Sequence, residues 1–184
     1  VNAQCCRLAP FRKLVPGLAT DVVLKSDAVQ LGWGGLGVVL SGKPFERGGL
    51  LLERVDQSVV RNTKANRVWD GLHLVESDEN LIEDNDFSHC SNTCAKLWRS
   101  SRNRFLRNNL SYGIRIDRAA GEVHARDSTS VLIESGSDDN HWFRNDITQG
   151  GDGIFVRVLN GWVSRGNVFV ENDTSYANNN CIES

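Results

Sequence analysis

NLIEDNDFS, residues 80–88, returns as NRFLRNNLS at 103–111, as NHWFRNDIT at 140–148 and as NVFVENDTS at 167–175. A worn copy, QSVVRNTKA, stands at 57–65. Each phrase runs Asn, any residue, an apolar residue, two more, Asn, then an apolar residue two further on, usually followed by Ser or Thr. Anchored on its first residue, the phrase steps from 57 to 80, 80 to 103, 103 to 140 and 140 to 167, which is 23, 23, 37 and 27 residues. A period in the twenties marks a solenoid, in which identical units stack to bury a continuous core.

Upstream of each phrase lies a short strand-like run: GLHLVES, CAKLWRS, GIRID, VLIES and GIFVRV. Their alternation predicts one inward face of Leu72/Leu74, Ala95/Leu97, Ile114/Ile116 and Ile154/Val156. Ile82, Phe105, Trp142 and Phe169 form a second apolar series, and Phe87, Leu110, Ile147 and Thr174 a third. Three short strands per repeat leave no sequence for a helix. The reading is all-β: a three-sided coil of about 23 residues whose strands pair with their equivalents one turn on. Asn85, Asn108, Asn145 and Asn172 are expected at corners, because Asn tolerates left-handed backbone. Stacked at the strand spacing of about 4.8 Å, their amides would form a hydrogen-bonded ladder.

The phrase N-x-[I/F]-x-x-N-x-[I/F]-[S/T], preceded by G-I-x-I, resembles the repeat of the right-handed parallel β-helix, pectin lyase-like superfamily, over residues 48–184. The resemblance implies a right-handed parallel β-helix solenoid forming one domain. Residues 1–47 would be an N-terminal segment in which DVVLKSDAVQLGWGGLGVVLSG supplies an opening coil with glycine turns. Members include polysaccharide lyases, glycoside hydrolases, uronan epimerases, phage tailspikes, adhesins and periplasmic metal-cluster maturation factors, so the fold does not choose an activity. Extracellular or periplasmic placement is implied by the resemblance alone. VES at 75–77 and IES at 133–135 and 182–184 read as equivalent points in the coil. Another phrase is then due where the chain stops, which reads as a truncated array. The alternative is an end covered by another copy, since uncapped solenoid ends invite self-association.

Charge is nearly balanced, 21 basic against 23 acidic residues, so no global field argues for nucleic acid. No apolar run approaches the roughly 20 residues of a membrane span. The chain begins at Val1 and has no Met, which reads as a processed or partial chain. Cysteines 5, 6, 90, 94 and 181 match no zinc-site spacing, and buried or free thiols are preferred to a Cys90–Cys94 disulfide.

Outward positions of the strand runs are expected to form rows: His73, Lys96, Arg115, Phe155, then Val75, Trp98, Asp117, Arg157. Basic groups beside an aromatic platform suit an acidic polysaccharide, with cations for uronate carboxylates and Trp98 for a sugar face. The plain alternative is a solvated strand face. Two insertions, RAAGEVHARDSTS at 118–130 and a turn around Leu159–Trp162, are expected to leave the same edge of adjacent coils as a wall. Asn160-Gly161 favours a tight turn there. The wall would bring Glu122, His124, Arg126, Asp127 and Trp162 toward Arg115, Asp117 and Arg157.

Uronan β-elimination needs a carboxylate neutraliser, for which Arg115 or Arg157 qualifies, and a base, for which Lys96 or His124 qualifies. Glycoside hydrolysis needs two carboxylates, and Asp117 with Asp152 or Asp127 supplies a pair. Candidate catalytic residues are therefore Arg115, Asp117, Lys96 and His124. Candidate substrate-binding residues are His73, Trp98, Arg157, Trp162 and Asp127. The uronan epimerase signature fails, because Tyr112-Gly113-Ile114 is followed by Arg115-Ile116-Asp117 with no Pro-His. No cofactor or metal is expected. Asp86, Asp146 and Asp173 follow the ladder asparagines and suggest calcium, but Asn109 and Thr63 take the same place elsewhere. Histidines 73, 89 and 141 read individually as local hydrogen-bonders. No G-x-S-x-G precedes a helix pattern, and GWGGLG at 32–37 lacks the Lys-Ser/Thr of a phosphate loop. The competing class is a structural or assembly scaffold.

Overall fold

The structure, a computed structural model, describes residues 21–23, 32–34, 37–39, 48–117, 120–124 and 128–184. Of residues 115–117 and 123–124 it gives the backbone path only. The first strands are β1 (Asp21–Val23), β2 (Gly32–Gly34), β3 (Gly37–Val39) and β4 (Gly48–Glu53). The repeats then supply β5 (Val59–Arg61), β6 (Asp70–Val75), β7 (Leu81–Glu83), β8 (Thr93–Trp98) and β9 (Arg104–Leu106). A hairpin, β10 (Arg115–Asp117) and β11 (Glu122–His124), interrupts them. They resume as β12 (Thr129–Glu134), β13 (His141–Phe143), β14 (Asp152–Arg157), β15 (Val168–Val170) and β16 (Ile182–Glu183).

Two sheets wind around one core as a right-handed parallel solenoid of about five coils. The larger runs β16-β14-β12-β8-β6-β4-β3-β2 and the smaller β1-β5-β7-β9-β13-β15. Only β1 on β5 and β2 on β3 pair antiparallel within them. The stretch expected to open the solenoid thus joins it twice, through β1 lying antiparallel on β5 and through β3, where Val38 stands opposite Leu50. The third side shrinks to single bridges, Lys64–Asp86–Asn109–Asp146–Asp173.

The apolar series meet inside. Leu72, Leu74, Leu97, Ile82, Phe87, Leu110 and Ile147 are fully buried. Phe105 and Trp142 stack at 3.8 Å, and Phe169, half-buried in the last coil, follows at 6.3 Å from Trp142. One member of the first series is corrected. Val131 and Ile133, not Ile114 and Ile116, lie beside Ala95 and Leu97. GIRID leaves the solenoid after Ile114, its last three residues forming the first strand of the hairpin, and its alternation served an excursion rather than the ladder. The three tripeptides are also not equivalent, because Ile133 aligns with Leu74 and Ile182 with Ile154.

The asparagine ladder forms as expected. Asn85 N–H and Nδ2 both donate to Asn108 Oδ1, and Asn108 does the same to Asn145, which does the same to Asn172. The phrase-initial asparagines build a second ladder, Asn80–Asn103–Asn140–Asn167. Serines 77, 100, 137 and 164 form a third, each hydroxyl accepting a backbone N–H of the preceding coil. In the first coil, Ser58 and Thr63 hold the ladder positions, so the worn copy is registered one residue later than its text suggested.

The reason given for asparagine at the corners does not hold. The ladder asparagines are not left-handed; the residue before each is, with φ of 54° at Asp84, 52° at Arg107, 53° at Arg144 and 54° at Glu171. This division follows from geometry. The ladder residue must turn its amide inward, whereas the left-handed residue turns its side chain to solvent. Left-handed backbone costs a non-glycine residue roughly 1–2 kcal/mol, which the buried amide bonds on either side offset. Outside, the side chains pair across coils: Arg107 with Asp84 and Arg144 with Glu171.

The phrase-final Ser or Thr is also explained. Asp86 Oδ1 accepts Ser88 N–H and Oγ–H, and Asn109 with Ser111 and Asp146 with Thr148 repeat the arrangement. An Asn serves as well as an Asp because both supply the accepting oxygen. These carboxylates are engaged in local turns.

Candidate functional site

The outer face of the large sheet carries a groove of about 710 Å³ across β8, β12, β14 and β16. Its floor holds Leu132 and Phe155, outward neighbours on adjacent strands. Asn92, Thr93, Ser128, Thr129, Asp152 and Asn179 line the N-terminal ends of the strands, and Lys96 and Arg157 lie further along them.

The real rows differ from those expected. Pairing places Leu51, His73, Lys96, Leu132, Phe155 and Glu183 in one row. Glu53, Val75, Trp98, Glu134 and Arg157 form the next. Arg115 and Asp117 are in neither. They face His124 and Glu122 across the hairpin, which leaves the coil after Ile114, ahead of β12. Asp127 and Arg126 lie outside the described residues. The second insertion leaves after β14, at the opposite end of the strands, and closes in the expected tight turn: Leu159 and Trp162 bridge, with φ of 53° at Asn160 and 78° at Gly161. The single wall is therefore replaced by two insertions at opposite flanks, because one enters before its strand and the other follows its strand.

Charge on this face is organised by a residue that the sequence did not single out. Glu134 points outward from β12, yet its side chain is only 3% exposed. Lys96 Nζ approaches one of its oxygens at 3.3 Å, and Arg157 donates to the other through Nε at 2.8 Å and through a terminal nitrogen. Asp152 is buried and accepts from Asn179 Nδ2 and the Asn180 N–H. Glu183 accepts from Asn180 Nδ2.

The C-terminal ends of the strands carry the aromatics. The Arg99 guanidinium lies 4.3 Å from the Trp98 ring and 5.3 Å from the Trp162 ring, a cation held between two indoles. Trp162 is 54% exposed. The structure thus brings Trp98 and Trp162 together through Arg99, which no sequence pattern marked.

His73 flanks the groove beside Lys96. Its Nε2 is sealed from solvent without a partner. Burial first, then the neighbouring Lys96 cation, lowers its pKa to about 4, so the ring is neutral at pH 7.

Cys90 and Cys94 are buried free thiols that donate to the carbonyls of Phe87 and Ser111 at 3.0 and 3.4 Å. The hydrogen bond with Cys94, then burial, pushes the Cys90 thiol well above its ordinary range. Among the described residues, no three His, Cys, Asp or Glu side chains converge as metal ligands.

A family model described as NosD, periplasmic copper-binding protein, matches residues 45–183. No curated protein and no solved structure matches the chain.

Proposed function

The chain belongs to the NosD family, and from that premise we propose that it is a solenoid scaffold whose large-sheet groove binds a polysaccharide. The observation that carries the reading is the groove's make-up. An apolar floor of Leu132 and Phe155 is rimmed by carboxamides, hydroxyls and a cation pair, and Trp98, in one row with Glu134 and Arg157, sets the indole pair beside that rim. Pyranose rings offer that mixture, apolar C–H faces and a belt of hydroxyls. Lys96 and Arg157 favour a saccharide that carries acidic groups. The family's own description supports a periplasmic or extracellular setting.

That description also names copper, and the described donors do not fit it. The chain has no methionine. Thiolate is the form of cysteine that binds metal, whereas Cys90 is held protonated beneath the surface. The one buried imidazole nitrogen without a hydrogen-bond partner among the described residues, Nε2 of His73, sits beside a lysine cation.

The test is a panel of acidic and neutral polysaccharides titrated calorimetrically against the full chain. Binding weakened by Trp162→Ala with the fold intact supports the reading, and no binding across the panel sinks it. Absorbance of unsaturated products and reducing-end assays on the same mixtures separate a lyase or hydrolase from a binding groove. Arg115, Asp117 and His124 on the hairpin are the residues to substitute if turnover is seen.

A further inference from the structure

We propose that Glu134 is the positioning residue that sets the charge of the groove, so that the groove seats a saccharide with isolated acidic groups and rejects a densely charged polyanion. The proposal rests on the saccharide reading above and names its ligand class.

Glu134 projects from the central of three adjacent strands, and Lys96 and Arg157 project from the strands on either side. Those outer strands stand about 9.6 Å apart, two strand spacings. Left alone, two long cations at that distance would repel and extend separately into water. The shared carboxylate draws both toward it, with Lys96 Nζ at 3.3 Å and Arg157 Nε at 2.8 Å. A ligand does not meet this carboxylate, whose side chain is 3% exposed. It meets the cations, whose side chains are 25% and 38% exposed.

Two positive charges and one negative leave one positive charge, presented by two pre-ordered donors. That is the complement of a single carboxylate or sulfate. Elsewhere in the groove the charges are negative, on Asp152 and Glu183. A second anion one residue further along a fully charged polymer therefore meets acid rather than base. A structural ion pair alone would predict no preference for charge density, and the two readings separate on that point.

The experiment titrates the full chain with three oligosaccharides of one length: neutral, carrying a single uronate, and uronate at every position. Each is measured at three salt concentrations. The single-uronate ligand should bind on the order of tenfold more tightly than the neutral one, with a log–log salt slope of about one. The fully charged ligand should gain nothing further. In Glu134→Gln the slope for the fully charged ligand should rise toward two, and that ligand should become preferred, while Glu134→Asp keeps the original order. If Glu134→Gln does not fold, the wild-type slope and ranking decide alone. A wild-type preference for the fully charged ligand, or a ranking and slope unmoved in Glu134→Gln, overturns the role of Glu134 while leaving a saccharide groove. Binding of none of the three withdraws the saccharide reading itself.

Discussion

Asn108 Oδ1 accepts two hydrogen bonds from Asn85, one from its backbone N–H at 3.1 Å and one from its Nδ2 at 2.8 Å. Asn108 Nδ2 in turn donates to Ile82 O and Asn145 Oδ1. One side chain thus satisfies backbone groups that water cannot reach. Asn108→Leu should destabilise by roughly 3 kcal/mol, because it leaves buried donors and an acceptor unpaired. Asn172→Leu, half-buried in the last coil, should cost less. Urea unfolding midpoints of the two variants check the order, and equal small shifts would remove the ladder as a source of stability.

Gly71 marks where the large sheet crowds the short third side. A Cβ there would stand 2.5 Å from Cys94 O, 2.8 Å from Phe87 Cβ and 2.9 Å from Phe87 O. Backbone atoms cannot step aside as a side-chain tip can. Gly71→Ala should cost about 3 kcal/mol through overpacking, whereas Gly121→Ala meets no atom of the described residues within 4 Å and carries the strain of its φ of 69°. Thermal unfolding of both variants tests this, and an unchanged midpoint for Gly71→Ala would contradict the packing described.

His73 ties stability to pH. Its folded pKa of about 4 lies below the unfolded 6.5, so the unfolded chain takes up the proton first. The contribution is complete above about 6.5 and is lost as pH falls from there toward 4. It amounts to about 3 kcal/mol at most, because each tenfold difference in proton affinity between the folded and unfolded chains is worth about 1.4 kcal/mol. His73→Leu cannot titrate. The stability difference between it and wild type should therefore move in favour of the variant across that window. A difference constant with pH would exclude a buried neutral imidazole.

Trp162 is open to solvent on the turn after β14. Trp162→Ala should leave the unfolding midpoint nearly unchanged, yet weaken saccharide binding by roughly three- to tenfold, the loss of one aromatic contact of about 0.5–1.5 kcal/mol. Calorimetry on the folded variant reads this directly. Full affinity in the variant would take the indole out of the site.

The repeat was legible because the same hydrogen-bonding demand recurs at each coil, and asparagine meets it. What misled was alternation. Ile114 and Ile116 obey the strand period as well as Val131 and Ile133 do, and periodicity cannot tell a hairpin from a ladder strand. Spacing could have: Leu74 and Leu97 each precede the next phrase-initial Asn by six residues, Ile133 by seven and Ile116 by 24. With that strand misplaced, Lys96, Trp98 and Arg157 were still assigned to the correct face, but Glu134 between them went unseen. A glutamate at an outward strand position ordinarily reads as solvated surface. Only the strands on either side, brought in from 38 residues upstream and 23 downstream, supply the cations that let it be buried.

The hairpin departs between Ile114 and Ser128, and stacking continues on both sides of it as if nothing had been added. Ile114 N–H reaches Cys90 O at 3.1 Å, Gly151 N–H reaches Gly113 O at 3.0 Å, and Asp152 N–H reaches Ser128 O at 2.8 Å. The junction behaves as a socket. Since doubling a loop's length adds only about 0.6 kcal/mol of closure entropy, segments of other lengths and sequences can be plugged in at this seam beside the groove. The coil beneath supplies the foundation, and the graft alone would decide what the rim recognises.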